Sequence, residues 1–442
     1  MNETETDRLP AIADDLRLAA RRFGTPTYVT DVGALEDAAR ELARAFPDPW
    51  IRQYSVKANH TPAVIAAVAR AGIGANVVSR GEWALARRAG VPNGRITLEG
   101  IGKTQADLRT AVRAAADGDP LAWVAIESVE EGDALVRLAR AAGFGGGGGT
   151  GPRRAARRPL EVLFRLNPDV VPETHAGLAV GAGASKFGLT ETELSAIVER
   201  VAAEADGPIV ARGIQLHVGS QLGAIDAWRD GVRRGLALLA LIRGNLDDFD
   251  TLDVGGGFPV VPLGESGPRP ERFAREIPML LNAVPTDRRP RRWATEPGRF
   301  LVARAGWLLG RVLHVRDRGG RQVVLDTGMT ELLRPALYGA RHDIVALTSF
   351  GRPVDPASGE SSPAGFRSAR LEGPICESTD HLGEHRLPAL RRGDLVVIRD
   401  AGAYGASLGS SYNGRPRPPQ VLLERDGRLV LGRRRGSIAS LG

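Results

Sequence analysis

"IRQYSVKANHTPAVIAAVARAGIGANVVSRGE", residues 51–82, reads as a strand, a helix and the beginning of a second such pair. The run 52–58 is followed by Thr61 and Pro62, a helix cap and a proline at the first helical position. A second short strand, 73–78, ends at Ser79, and Glu82 three residues later has the spacing of a capping box. Six further runs continue the pattern at 95–100, 121–127, 160–167, 213–219, 251–256 and 291–296, with helix-like segments between them, one opened by "TQAD" from Thr104. Eight alternating strand–helix units in roughly 250 residues have the size of a (β/α)8 TIM-type barrel, an α/β fold; a doubly wound open sheet is the alternative. After residue 300 the pattern changes. "RQVVLD", "DLVVIRD" and "QVLLERDGRLVLG" are short β-rich runs broken by glycine and proline, which predict a second, mostly β domain.

The chain has 442 residues, 43% of them hydrophobic and 25% charged, the balance of a globular protein of about two to three domains. Its start, "MNETETDRLP", is acidic and polar, which argues against a secretory signal, and no apolar run is long enough to span a bilayer. A cytoplasmic protein without a membrane partner is expected. The net charge of +7 does not point to nucleic acid, because 52 acidic residues are interspersed among the 59 basic ones. The densest basic run, 151–159, follows five consecutive glycines and reads, with 144–150, as a surface insertion; 351–367 reads as another. The single cysteine, Cys376, excludes an internal disulfide and a multi-cysteine zinc cluster, and no metal site is expected. It is either a buried inert thiol or a chemical one.

Among the 59 basic residues only three are lysine, at 57, 103 and 186. A surface charge is served by either basic residue, but only lysine can shed its proton and condense with a carbonyl. In a (β/α)8 barrel the active site lies at the C-terminal ends of the strands. Lys57, Arg165, Asn167, His217, the triplet Gly255, Gly256 and Gly257, and Glu296 all fall at such ends. The glycines after the seventh strand and "EPGR" after the eighth occupy positions where this fold often binds phosphate through bare amides. An amine beside a phosphate cradle suggests pyridoxal 5′-phosphate.

"YSVKAN", "NPDVVPETHAGLAVGAGASKFGL", "HVGSQ", "DVGGGFP", "EPGRF", "RPALYGARH", "CESTD" and "DAGAYG" occur in this order. The chain thereby resembles the diaminopimelate decarboxylases, of the alanine racemase and ornithine decarboxylase fold group, from about residue 25 to about 420. The resemblance implies a barrel over 32–300 and a β-domain built from 1–31 and 301–442, with "TPTYVTD" contributing a strand to it. It also implies a homodimer with active sites at the subunit interface. Lys57 would hold pyridoxal 5′-phosphate as a Schiff base, His217 would lie against the ring and Glu296 would bond the ring nitrogen. The glycine triplet, the backbone of Glu296, Pro297, Gly298 and Arg299, and Tyr404 would hold the phosphate. Arg299, Arg334, Tyr338, Tyr404 and Glu377 look like substrate contacts, and Cys376 like a proton donor supplied by the other subunit. Thr379 stands where the family usually has glycine.

The implied reaction is decarboxylation of meso-2,6-diaminopimelate to L-lysine and carbon dioxide, a step of lysine biosynthesis. Such a substrate carries an ammonium and a carboxylate at its far end, so its pocket needs both a planar cation fork and an anion. The alternative is a related decarboxylase acting on another diamino acid, of ornithine or lysine type, or on a natural-product intermediate.

Overall fold

The computed structural model describes residues 7–142, 159–175, 177, 179–181, 185–203, 209–355 and 365–441. The centres of both expected insertions, 144–159 and 351–367, lie outside the described residues. The chain divides into two units, Ala39–Pro259 with Gly267–Gly298, and Met1–Ala38 with Val260–Ser266 and Arg299–Gly442. Among the described residues no helix is long and apolar enough to cross a membrane.

The first elements are helix α1 (Leu9–Phe23), strand β1 (Thr27–Asp31) and helix α2 (Val32–Ala45). Helix α1 was not anticipated, although Pro10 in its first turn and apolar residues at 9, 12, 13, 16, 19 and 20 mark an amphipathic helix.

Eight parallel strands then close a barrel: β2 (Ile51–Ser55), β3 (Gly74–Val77), β4 (Ile96–Leu98), β5 (Trp123–Ile126), β6 (Leu160–Leu166), β7 (Ile209–Leu216), β8 (Thr251–Asp253) and β9 (Arg292–Thr295). Closure is made by β9 pairing with β2, Ala294 opposite Ile51 and Thr295 opposite Arg52. The expected (β/α)8 architecture is therefore the observed one. Helices α3 (Pro62–Arg70), α4 (Arg80–Arg88), α5 (Gln105–Ala116), α6 (Val129–Ala141), α7 (Glu191–Ala202) and α8 (Asp226–Arg243) follow the strands in turn. Their starts are chemically determined. Thr104 and Asp107 form a complete capping box on α5, and Thr190 and Glu193 form one on α7, each satisfying amides that the helix leaves unpaired. At α4 the Ser79 hydroxyl accepts the Glu82 amide at 3.2 Å, but the Glu82 carboxylate turns back to the amide of Val78, at 2.9 Å.

One boundary matters for chemistry. The expected strand 52–58 ends at Ser55, and Val56–Ala58 form a 3-10 turn. Lys57 thus stands on a turn beyond the strand.

The second unit is organised by one nine-stranded sheet. Its later strands are β10 (Gly306–Asp317), β11 (Arg321–Leu325), β12 (Ile344–Ala346), β15 (Arg367–Glu372), β16 (His381–Leu387), β17 (Leu395–Ile398), β18 (Gln420–Leu423) and β19 (Leu429–Arg433), while β13 (Thr348–Ser349) and β14 (Arg352–Pro353) form a separate two-stranded sheet. The main path runs β16-β15-β11-β10-β1-β18-β19, with β17 pairing both β10 and β12. Strand β1, from the beginning of the chain, lies inside this sheet, antiparallel to β10 and parallel to β18. Alternate residues feed two cores, as the strand period requires. Val29, Leu309, Val397 and Val421 pack with Leu9, Leu16 and Ala20 of α1, whereas Tyr28, Leu308, Val396 and Ile398 face the other cluster. Leu16 is fully buried in the first cluster, a contribution of about 1.5–3 kcal/mol.

Candidate active site

The three lysines have separate surroundings. Lys103 is buried, forms an ion pair with Glu131 at 3.0 Å and donates to the carbonyl of Gly100 at 2.5 Å. The Lys186 amine lies over the Phe187 ring, 5.4 Å from its centre. Lys57 is exposed on its turn, and no described residue hydrogen-bonds or ion-pairs with its amine.

His217, one residue past β7, accepts the Gly256 amide on Nδ1 at 3.2 Å. That contact leaves the ring proton on Nε2. Burial, with Lys57 and Arg165 nearby, holds the imidazole well below its ordinary range, so His217 is neutral. Arg165, near the end of β6, is tied to Glu127 at 2.7 Å and lies over the Phe187 ring.

The glycine turn after β8 is fixed by close backbone contacts. A Cβ added at Gly255, Gly256 or Gly257 would stand 2.4 Å from the Leu216 carbonyl, 2.5 Å from that of Glu296 or 2.4 Å from that of Gly219. Gly255 and Gly257 also have φ of 68° and 101°, open to glycine at little cost. The three bare amides expected from the sequence are reduced by internal bonds. The Gly255 amide donates to Asp253 Oδ1 at 2.8 Å and that of Gly256 to His217, whereas no described residue accepts from the amides of Gly257 and Gly298.

Behind this turn, Glu296, Glu99 and Asp253 converge from the ends of β9, β4 and β8. All three are buried, and their oxygens lie within 4.8 Å of one another. Glu296 accepts from Asn76 Nδ2 on one oxygen and from Gln215 Nε2, at 3.1 Å, on the other. Two unit charges so close repel by about 3.5 kcal/mol at an effective dielectric near 20. Burial, then the neighbouring acid, pushes both Asp253 and Glu296 up to about 8. Burial, then Glu296, raises Glu99 well above the usual carboxylate range. Asn76, Glu99, Gln215 and Asp253 are not among the site residues expected from sequence. The available signal was a carboxylate at the end of an otherwise apolar strand, in "ITLEG" and "TLDVGG".

The second unit gathers charge of the opposite sign. Arg299 is buried, with its guanidinium 4.8 Å from the centre of the Tyr404 ring. Tyr404 holds a φ of 58°, uncommon for a residue with a side chain. Arg334, on the short helix Arg334–Tyr338, lies in the field of Arg299, Tyr404 and Tyr338. Its Nη1 donates to His342 Nε2 at 2.9 Å, and His342 Nδ1 donates to the Arg399 carbonyl at 2.9 Å. Burial, reinforced by Arg299, brings Arg334 down to about 10, while burial and Arg334 bring His342 down to about 4. Arg334 Nε is buried without an acceptor among the described residues. His342 too was unforeseen.

Cys376 and Glu377 occupy the turn between β15 and β16. Asp380 buckles this turn, accepting the Met329 amide at 2.6 Å and the Ile375 amide at 2.7 Å. A Cβ at Gly373 would fall 2.1 Å from the Asp380 carboxylate, so the close approach requires glycine. Thr379 is exposed and does not have a positive φ, so its side chain fits where glycine was expected. Cys376 is an exposed thiol, not a buried one. Asn413 Nδ2 donates to its sulfur at 3.4 Å, and the Tyr412 hydroxyl donates to Glu377 at 2.6 Å. Among the described residues neither Cys376 nor Glu377 bonds to an arginine.

The barrel set fits pyridoxal 5′-phosphate by the chemistry of its donors: an unengaged amine at Lys57, a flat neutral ring at His217, a buried acceptor at Glu296, and unspent amides at Gly257 and Gly298.

Comparison with known proteins gives the same account. Residues 32–303 match the family model of the pyridoxal-dependent decarboxylases, pyridoxal binding domain. Diaminopimelate decarboxylase of Pseudomonas aeruginosa is 36% identical over 407 residues, 92% of this chain and 89% of that protein. That of Aquifex aeolicus is 33% identical over 423 residues, 95% and 91% of the respective chains. The crystal structure of diaminopimelate decarboxylase from Helicobacter pylori complexed with L-lysine superposes with a TM-score of 0.83 at 26% identity, covering 96% of this chain and 98% of that one. The chain belongs to the pyridoxal-dependent decarboxylase family, among its diaminopimelate decarboxylases.

Proposed function

We propose that this chain removes one carboxylate of meso-2,6-diaminopimelate, using pyridoxal 5′-phosphate, to give L-lysine and carbon dioxide. When bound, the cofactor supplies an electron sink for the pair left at Cα as carbon dioxide departs. Lys57 would hold the cofactor through its amine, a role open only to a basic side chain able to shed its proton. Glu296 would accept a hydrogen bond from the ring nitrogen and keep it cationic. His217, neutral, would lie against the ring without adding charge. Gly257 and Gly298 would give their amides to the phosphate, with Gly255 and Gly256 shaping the turn and Pro297, Arg299 and Tyr404 contributing to the phosphate site.

The observation that carries the choice of substrate is Arg334. A half-buried guanidinium that donates to a neutral histidine, and whose buried Nε has no acceptor among the described residues, calls for an anion from outside the chain. The distal carboxylate of diaminopimelate supplies one, and ornithine and lysine do not. Arg299, Tyr338 and Tyr404 line the same contact, and Glu377 reads the distal ammonium. The test is carbon dioxide release from meso-diaminopimelate, L-ornithine, L-lysine and L-arginine by the purified enzyme; equal or greater release from any of the last three would overturn the assignment.

The enzyme works as a cytoplasmic homodimer, its barrel of 32–300 completed by the β-domain of 1–31 and 301–442. Cys376 and Glu377 of the partner subunit complete each site, and Cys376 returns the proton to Cα. Their exposure on a turn, where their described partners are Tyr412 and Asn413 and not an arginine, supports this. Inactive Lys57→Ala and Cys376→Ala chains, allowed to exchange subunits, should recover roughly a quarter of wild-type activity, because half the dimers are mixed and each mixed dimer has one intact site. No recovery after verified exchange would place both residues in one chain.

A further inference from the structure

Three carboxyl groups share the barrel floor, yet the donors around them suffice for one anion. Both oxygens of Glu296 accept amide N–H groups, from Asn76 and Gln215. Asp253 has one oxygen bonded to the Gly255 amide, while its Oδ2 is buried with no donor in reach among the described residues. Glu99 is approached at 3.5 Å by Trp123 Nε1 and otherwise shares the Asn76 amide with Glu296. Arg165 is the cation whose field Glu99 feels, and its own ion pair is with Glu127. An acceptor oxygen surrounded by other carboxyl oxygens is satisfied when one of them carries a hydrogen.

We propose that Glu99 and Asp253 are positioning residues that keep their protons and bond to Glu296, so that Glu296 alone becomes the anion under the cofactor ring, and that seating the ring drives one proton out of this cluster. The proposal rests on Glu296 being the partner of the ring nitrogen. Proton balance is simple. In the empty chain near neutral pH all three acids are largely protonated, in line with the raised values of Asp253 and Glu296. A cationic ring N–H arriving at Glu296 replaces the proton on that carboxyl, which leaves to solvent, and Glu99 and Asp253 remain neutral. Asp253 links the event to the glycine turn, because its other oxygen holds the Gly255 amide.

Infrared difference spectroscopy reads this directly. The full chain, freed of cofactor, is mixed near neutral pH with pyridoxine 5′-phosphate, which has the ring nitrogen and the phosphate but no aldehyde to react with lysine. Wild type should lose the carbonyl stretch of about one protonated carboxyl per chain on binding. Glu296→Gln should bind the probe but lose that difference signal, because the carboxyl that gives up its proton is gone while Glu99 and Asp253 keep theirs. Binding without any loss of a protonated-carboxyl band in wild type, or a full-sized loss in Glu296→Gln, would overturn the proposal. The wild-type arm decides alone should the variant fail to fold. Failure of the probe to bind wild type would instead overturn the cofactor assignment on which the proposal rests.

Discussion

The barrel buries three acids with no basic partner among the described residues, and the second unit half-buries Arg334 against a neutral histidine, with the field of Asp400, which is paired to Arg304, but no carboxylate bonded to it among the described residues. In each place desolvation drives the groups toward neutrality: the acids rise, and the arginine and histidine fall. Ordinary structural charges in the same chain behave otherwise. Arg165 with Glu127, and Arg399 with Asp7 at 2.5 Å and 2.7 Å, are closed by an opposite charge. The difference separates scaffold from site. A charge placed for the fold is paired within the chain, whereas one placed for a ligand is left for the ligand to complete.

The largest effect is expected from removing the barrel's anion. Glu296→Gln should lower kcat by roughly 10²–10³-fold, measured at saturating substrate, because the carboxylate acts where charge develops during reaction. A loss under about tenfold would mean that the acid cluster belongs to the scaffold.

Next comes the cationic side. Arg334→Ala should lower kcat/KM for diaminopimelate by about 10²–10³-fold, and Arg334→Lys should restore little of it, because the planar fork is lost. His342→Ala should act through Arg334, raising KM about tenfold with kcat little changed, and His342→Gln should recover most of the loss by offering the same acceptor. Equal falls in kcat for both histidine variants would remove it from the positioning of Arg334.

The smallest effect tests the signs of the two clusters through stability of the cofactor-free chain. Raised acids stabilise most at low pH, and that contribution declines as pH rises from about 4 to about 8. A histidine kept neutral does the reverse, its contribution being present above its ordinary value of 6.5 and lost as pH falls toward about 4. Melting profiles should show Glu99→Gln flattening the limb toward high pH, and His342→Gln flattening the limb toward low pH. Both variants altering the same limb would contradict the comparison.

The barrel was legible because strands end in turn signals and several helices begin with a cap: "SRGE" after β3 and "TQAD" after β4 cap their helices, whereas after β2 Pro62 starts the helix and the Thr61 side chain makes no capping bond. Lys57, His217 and Glu296 were legible for a related reason, since the fold assigns function to strand ends. Glu99 and Asp253 share that position but lie 154 residues apart, and only closure of the barrel brings their carboxyl groups to Glu296. His342 was hidden because its role depends on a contact with Arg334 and on the carbonyl of Arg399, and spacing in "RHDIV" reveals neither. The glycine triplet was recognised, but sequence does not show that two of its amides are spent on Asp253 and His217. Helix α1 is marked by its apolar spacing and by Pro10 in its first turn, a signal weakened by the charged residues on its other face.

The central claim is that the barrel carries the cofactor on Lys57, and chemical fixation tests it most directly. Borohydride treatment of the purified enzyme, followed by proteolysis and mass measurement of the peptides, should place the pyridoxyl group on the peptide containing Lys57, whose amine has no partner among the described residues. Lys103, already paired with Glu131, and Lys186 should remain unmodified. The label on Lys103 or Lys186, with Lys57 untouched, would contradict the account.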